Sequence, residues 1–279
     1  MAAPSNLGGP PPGWPAVLGL ASVEVADAAA AVAVLAAGAI GAGAVVGIAF
    51  GFVLPLPADV GLAAGVALLV GVVWATGAAS LCRWSLGART AGPGEEPRVR
   101  NLVEGLCAGM GLAMPGLGVV DSQAPNLASL GGGRAGPELV VTTGLAAALT
   151  RLELEAVIAH ELAHLRAGDV RGATLRGATL GGVRAVIGGG VSARAGARWA
   201  AREAGADALA LSVTRYPPAL LSGLGKLVAL PAATRDRRSA LSEHLWARGE
   251  GDGGAGAPGS APGSDVNGLA GRLEALRAL

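Results

Sequence analysis

Two uncharged apolar stretches, residues 28–58 and 60–82, dominate the first third of the chain. Each exceeds the ~20 residues a helix needs to cross about 30 Å of hydrocarbon. Pro55, Pro57 and Asp59 interrupt them, so the pattern predicts two transmembrane helices, 28–54 and 60–81, joined by a short turn. A cleaved leader fits poorly, because the run starts late, lacks a basic segment before it and is too long. Beyond residue 98 the pattern changes to that of a folded domain. Helical spacing predicts helices over 98–111, 198–212 and 217–230, the last opening on Pro217 and Pro218. Leu117–Val120 and Leu139–Thr143 are short apolar runs bounded by turn residues, and they predict strands. Gly131, Gly132 and Gly133 read as a turn between strands. The fold class that follows is mainly α with a small β-sheet, preceded by two N-terminal transmembrane helices.

One more helix is marked at both ends. Thr150-Arg151-Leu152-Glu153 has the spacing of a capping box, and Gly168 is the expected terminator. Between them Leu154, Val157, Ile158, Leu162 and Leu165 recur at helical spacing. This helix carries His160-Glu161-Leu162-Ala163-His164. Positions i and i+4 share a helix face, so His160 and His164 can present two imidazoles to one metal ion. Glu161 stands beside the first of them, where a carboxylate can take a proton from a metal-bound water. This is the zinc metalloprotease arrangement. The chain has only 3 histidines, which makes the match more specific.

A catalytic zinc takes three protein ligands and keeps one position open. The best source of the third is Arg202-Glu203-Ala204-Gly205-Ala206-Asp207. Glu203 and Asp207 are four apart and share a helix face. One carboxylate can bind the metal while the other accepts a hydrogen bond from a ligand imidazole. His244, in Glu243-His244-Leu245-Trp246, is the only remaining imidazole. It is a candidate donor to a transition-state oxyanion, the alternative being a structural histidine beside Trp246.

Several of these stretches together resemble the HtpX family of bacterial membrane-bound zinc metalloproteases, relatives of the CAAX prenyl proteases. They are RVRNLVEGLCAGMGLAMPGLGVVDSQAPN, ELVVTTGLAAALTRLELEAVIAHELAHLRAGD, AREAGADALAL, TRYPPALLSGLGKL and SEHLWA, within residues 98–248. The resemblance implies a gluzincin-like domain holding one Zn2+ per chain on His160, His164 and Glu203. It implies Glu161 as general base and Asp207 as a support behind the ligands. It also implies protein or peptide substrates and a role in membrane-protein quality control. The chain departs from the family in one interval. The family carries two more membrane segments between the histidine motif and the third ligand. Here the longest uncharged run, between Arg184 and Arg194, is too short to span a bilayer. The interval 170–197, with its tandem RGATL-RGATL, is therefore expected as a wet loop or irregular helix. The same shortening motivates an alternative function, a catalytically impaired membrane-anchored zinc scaffold or regulator.

Composition agrees with a membrane setting, with 52% apolar and 15% charged residues. A net charge of +1 and the lack of a basic patch point away from nucleic acid. Arg83, Arg89, Arg98 and Arg100 closely follow the second apolar stretch, while residues 1–27 hold no basic residue. The expected orientation in the bacterial inner membrane is multi-pass, with the catalytic domain in the cytoplasm. Cys82 and Cys107 lack metal spacing and are expected to be structural and reduced. The predicted organisation is a flexible segment 1–27, an anchor 28–82, a protease domain 98–248, a Gly/Pro/Ser-rich linker 249–265 and an amphipathic helix 266–279 bearing Leu269, Leu273 and Leu276. An extended substrate is expected to pair with the strand at 138–143.

Overall fold

The computed structural model describes residues 56–133, 136–175, 178–179 and 193–229. Helix α1 (Leu56–Leu86) leads into the two-residue strand β1 (Arg89–Thr90) and helix α2 (Pro97–Met110). Strands β2 (Gly116–Val120), β3 (Leu127–Gly133) and β4 (Gly136–Thr142) follow. The short helix α3 (Leu145–Ala148) precedes α4 (Arg151–Ala167), α5 (Ala193–Thr214) and α6 (Pro217–Ala229). The four strands form one mixed sheet in the order β1-β2-β4-β3. β2 runs parallel to β4, and the other two pairings are antiparallel.

Helices cover both faces of the sheet. Strand alternation sends Leu127, Leu139 and Val141 to one side, into the main core with α2, α4, α5 and α6. In α2 the buried positions Val99, Val103, Leu106, Cys107 and Met110 fall at helical spacing. Alternate residues Ala128, Leu130 and Val140 face the other way and pack on Ala78, Cys82 and Leu86 of α1. α1 thus continues past residue 82 into the protein core. Higher up, Val66, Leu68, Leu69, Val72 and Val73 are exposed. Among the described residues no helix is long and apolar enough to cross a membrane. The first predicted span, 28–54, lies outside the described residues, as do His244 and the segments beyond 229. The second falls on α1, whose side chains are described only in part.

The expected turn at Gly131–Gly133 is instead the end of β3. Gly131 serves a close approach: a Cβ there would lie 2.6 Å from the backbone nitrogen of Arg171. Gly131 N–H donates to Thr174 Oγ1 at 3.0 Å, tying strand to helix there. The sheet order also corrects the expected substrate strand. β4 sits between β2 and β3, so residues 138–142 have no free edge, and β3 is the edge strand on that side.

Where it is described, the interval after α4 takes the helical one of the two expected forms, but it is mostly buried rather than wet. Residues 170–175 are helical, and Val170, Ala173, Thr174, Ala178 and Thr179 are buried. The tandem RGATL has a packing reason. Thr174 meets β3 as above, and Thr179 Oγ1 accepts from Trp74 Nε1 of α1 at 3.0 Å. Small residues and hydroxyls let this segment lie close to the sheet, where its side-chain oxygens find partners.

α4 is capped as its sequence predicts. Thr150 and Glu153 form both bonds of the capping box, and Gly168 closes the helix in the left-handed region, at φ 76°. Glu153 also binds Ser222 Oγ at 2.6 Å and Lys226 Nζ at 2.7 Å, fastening α6 to the start of α4. Burial pushes its carboxyl up, but Lys226, Ser222 and Thr150 outweigh this and hold it at about 2. Because the folded value is depressed, the stabilisation is complete above the ordinary carboxylate range and is lost as pH falls toward about 2. Glu153→Gln is expected to lower unfolding free energy at pH 7 by about 1.5–3 kcal/mol. The gap between variant and wild type should shrink steadily as urea titrations are moved from pH 5 to the acid limit.

Candidate active site

α4 is continuously buried from Ala156 to His164, although this stretch carries His160, Glu161 and His164. His160 and His164 lie one turn apart, with ring planes at 89° and Nε2 atoms 3.3 Å from each other. α5 crosses against α4 and delivers Glu203, whose carboxylate straddles the pair. Its Oε2 is 3.3 Å from His160 Nε2 and its Oε1 is 3.3 Å from His164 Nε2. His160, His164 and Glu203 are the group that could hold a metal ion among the described residues, and all three are buried.

The outer nitrogens fix the tautomers. His160 Nδ1 lies 2.9 Å from Asp207 Oδ1, and His164 Nδ1 lies 3.0 Å from Asp169 Oδ2. A carboxylate only accepts, so each Nδ1 carries a proton, and in the neutral imidazole each Nε2 keeps its lone pair for the centre. Two lone pairs and a carboxylate therefore converge on one buried point, which requires positive charge. The same demand appears in His164 itself. Burial opposes its protonation, yet Glu203 and Asp169 overcome this and raise it to about 10. A tetrahedral cation with bonds of about 2.0–2.1 Å has ligand–ligand edges of about 3.3–3.4 Å. Here the two imidazole nitrogens are 3.3 Å apart, each meets a different Glu203 oxygen at 3.3 Å, and one donor atom from each residue lies within 4.8 Å of the others, so the three residues can gather around one cation.

Glu161 faces the same region without joining the triangle. Burial pushes its carboxyl up, against the opposing influence of His160, His164 and a hydrogen bond from Ser129. The raised value makes it a stronger proton acceptor than an exposed glutamate.

Residues 93–225 match peptidase family M48. The matched region is an M48 protease domain, and it resembles the HtpX proteases of that family. The chain is 31% identical over 192 residues to a protein named "Protease HtpX homolog" from Tropheryma whipplei (strain Twist), with 57% of this chain and 66% of that one covered. It is 41% identical over 92 residues to a protein of the same name from Moorella thermoacetica, covering 33% and 31%. A third, from Dictyoglomus thermophilum, is 41% identical over 87 residues, covering 31% and 29%. The chain thus spans less than two thirds of the length of these relatives. No solved structure matches.

Within this M48 domain the structure brings His160, Glu161, His164, Glu203 and Asp207 together. Asp169 and Arg202 are parts of the site that the sequence pattern did not single out. Asp169 Oδ2 also accepts from Arg202 Nε at 2.9 Å, and both side chains are buried. This pair links the end of α4 to the residue preceding Glu203, so the two helices that carry His160, His164 and Glu203 are fixed to each other. The available signal was an acid directly after the helix terminator. The left-handed turn at Gly168 reverses the chain and returns Asp169 to His164.

Proposed function

We propose that this chain is a membrane-anchored, zinc-dependent endopeptidase. The observation that carries the reading is the convergence of His160 Nε2, His164 Nε2 and the Glu203 carboxylate on one buried point with Glu161 beside it. Zinc bound by these three residues would acidify a water and polarise a scissile carbonyl. Asp207 and Asp169 hold the two imidazoles in the tautomers that bind metal, and Arg202 holds Asp169. Glu161 takes the proton from the attacking water and delivers it to the leaving amine. His244, beyond the described residues, remains the candidate donor to the oxyanion.

Protein or peptide substrates follow from this chemistry. An extended peptide would lie along β3, the edge strand, where Ser129 stands beside Glu161. The exposed apolar residues of α1 between Val66 and Val73 support a bilayer anchor, and a role in membrane-protein quality control in the bacterial inner membrane would follow from the resemblance to HtpX proteases. The arginines that follow α1 support a cytoplasmic catalytic domain.

Zinc analysis of the purified full chain, alongside casein hydrolysis, tests the reading. The expected result is about one zinc per chain, with hydrolysis abolished by a chelator and restored by zinc. Zinc without hydrolysis would instead identify the silent scaffold, and failure to bind zinc would remove both readings.

A further inference from the structure

Ser129 Oγ lies 2.7 Å from Glu161 Oε2, across 32 residues of sequence and between two buried side chains. The same oxygen is 3.3 Å from the Glu161 carbonyl, so the single hydroxyl proton has its shorter, charge-assisted contact with the carboxylate. Strand alternation explains the placement. Ser129 shares a face with Leu127, which packs into the core around α4, while Ala128 and Leu130 face α1. A buried hydroxyl in an otherwise apolar strand needs a partner, and alanine would fill the strand without one. Among the described residues Ser129 is the one hydrogen-bond partner of the Glu161 carboxylate, and Oε1 takes none. The terminal torsion of a glutamate is broad, so a carboxylate with no fixed donor samples many orientations.

We propose that Ser129 is a positioning residue, whose hydroxyl holds Oε2 of Glu161 and leaves Oε1 as the atom that receives the proton of the attacking water. The inference rests on the peptidase reading of the site. It also assigns a second task to β3, which brings the donor for the base on the same strand that offers the sheet edge. The bond is made to the base and to no ligand of the metal triangle, so it acts on proton transfer and leaves metal affinity alone.

The test compares Ser129→Thr, which keeps a hydroxyl, with Ser129→Val, which has the same shape without it. Zinc content, kcat and KM on a fluorogenic peptide are measured for the full-length zinc-loaded protein. The carboxyl carbon of Glu161 is followed by 13C NMR with labelled glutamate, its signal assigned by its loss in Glu161→Gln. The expected result is a kcat about tenfold lower for Ser129→Val than for Ser129→Thr, with KM and zinc content alike. The Glu161 resonance should differ between the two variants. If the added methyl group unfolds both, Ser129→Ala against wild type makes the same comparison without added volume. Equal kcat values, or identical Glu161 resonances, would overturn the proposal. A zinc-loaded wild type without hydrolysis would overturn the peptidase reading, and the positioning role with it. In that case the resonance alone would report a structural hydrogen bond.

Discussion

Glu161→Gln is expected to keep its zinc and lose hydrolysis by about 10²–10⁴-fold. The substitution changes one atom and preserves shape. Its amide oxygen can still accept from Ser129, so the side chain should stay where Glu161 is. What disappears is the ability to take a proton. None of the three converging ligands is altered, because Glu161 stands outside the triangle made by His160, His164 and Glu203. Peptide turnover and metal content measured on one preparation check the prediction. An active variant would mean that another group activates the water. A variant without zinc would mean that Glu161 carries part of the metal site or of the fold around it.

The local chemistry of α4 was legible because it is written in short range. A capping box, an i, i+4 histidine pair and a terminating glycine each need only a few residues of context. Glu203 and Asp207 were legible as a pair for the same reason, although their union with His160 and His164 depends on α5 crossing α4. Features set by tertiary contact were harder to read. The three glycines of β3 look like a turn in isolation, and the backbone of Arg171 pressed against Gly131 explains the first of them. β4 looks like any strand until the chain order places it between β2 and β3. α1 reads from hydropathy as a span ending near residue 81, since hydropathy does not distinguish lipid from a sheet. The burial of Ala78, Cys82 and Leu86 against β3 and β4 extends it into the domain. Ser129 and Asp169 share that limit. Each is a single polar residue whose meaning lies in a partner supplied by another turn or strand.

Glu203→Ala is expected to abolish stoichiometric zinc binding and, with it, all chelator-sensitive hydrolysis. The carboxylate supplies the one negative charge that faces both Nε2 atoms, each at 3.3 Å. Without it two neutral imidazoles remain, and a divalent ion would sit in a buried site with its charge uncompensated at the centre. Asp207→Ala provides a graded comparison. It leaves the triangle intact but frees His160 Nδ1 from its acceptor at 2.9 Å, so the ring can turn and change tautomer. Loss of such a support weakens metal binding by about 10–100-fold. Competition against a fluorescent zinc chelator, with circular dichroism to verify folding, should therefore rank wild type above Asp207→Ala and Asp207→Ala above Glu203→Ala. If Glu203→Ala held zinc as tightly as wild type while Asp207→Ala released it, the two acids would exchange roles, and Asp207 would be the third ligand.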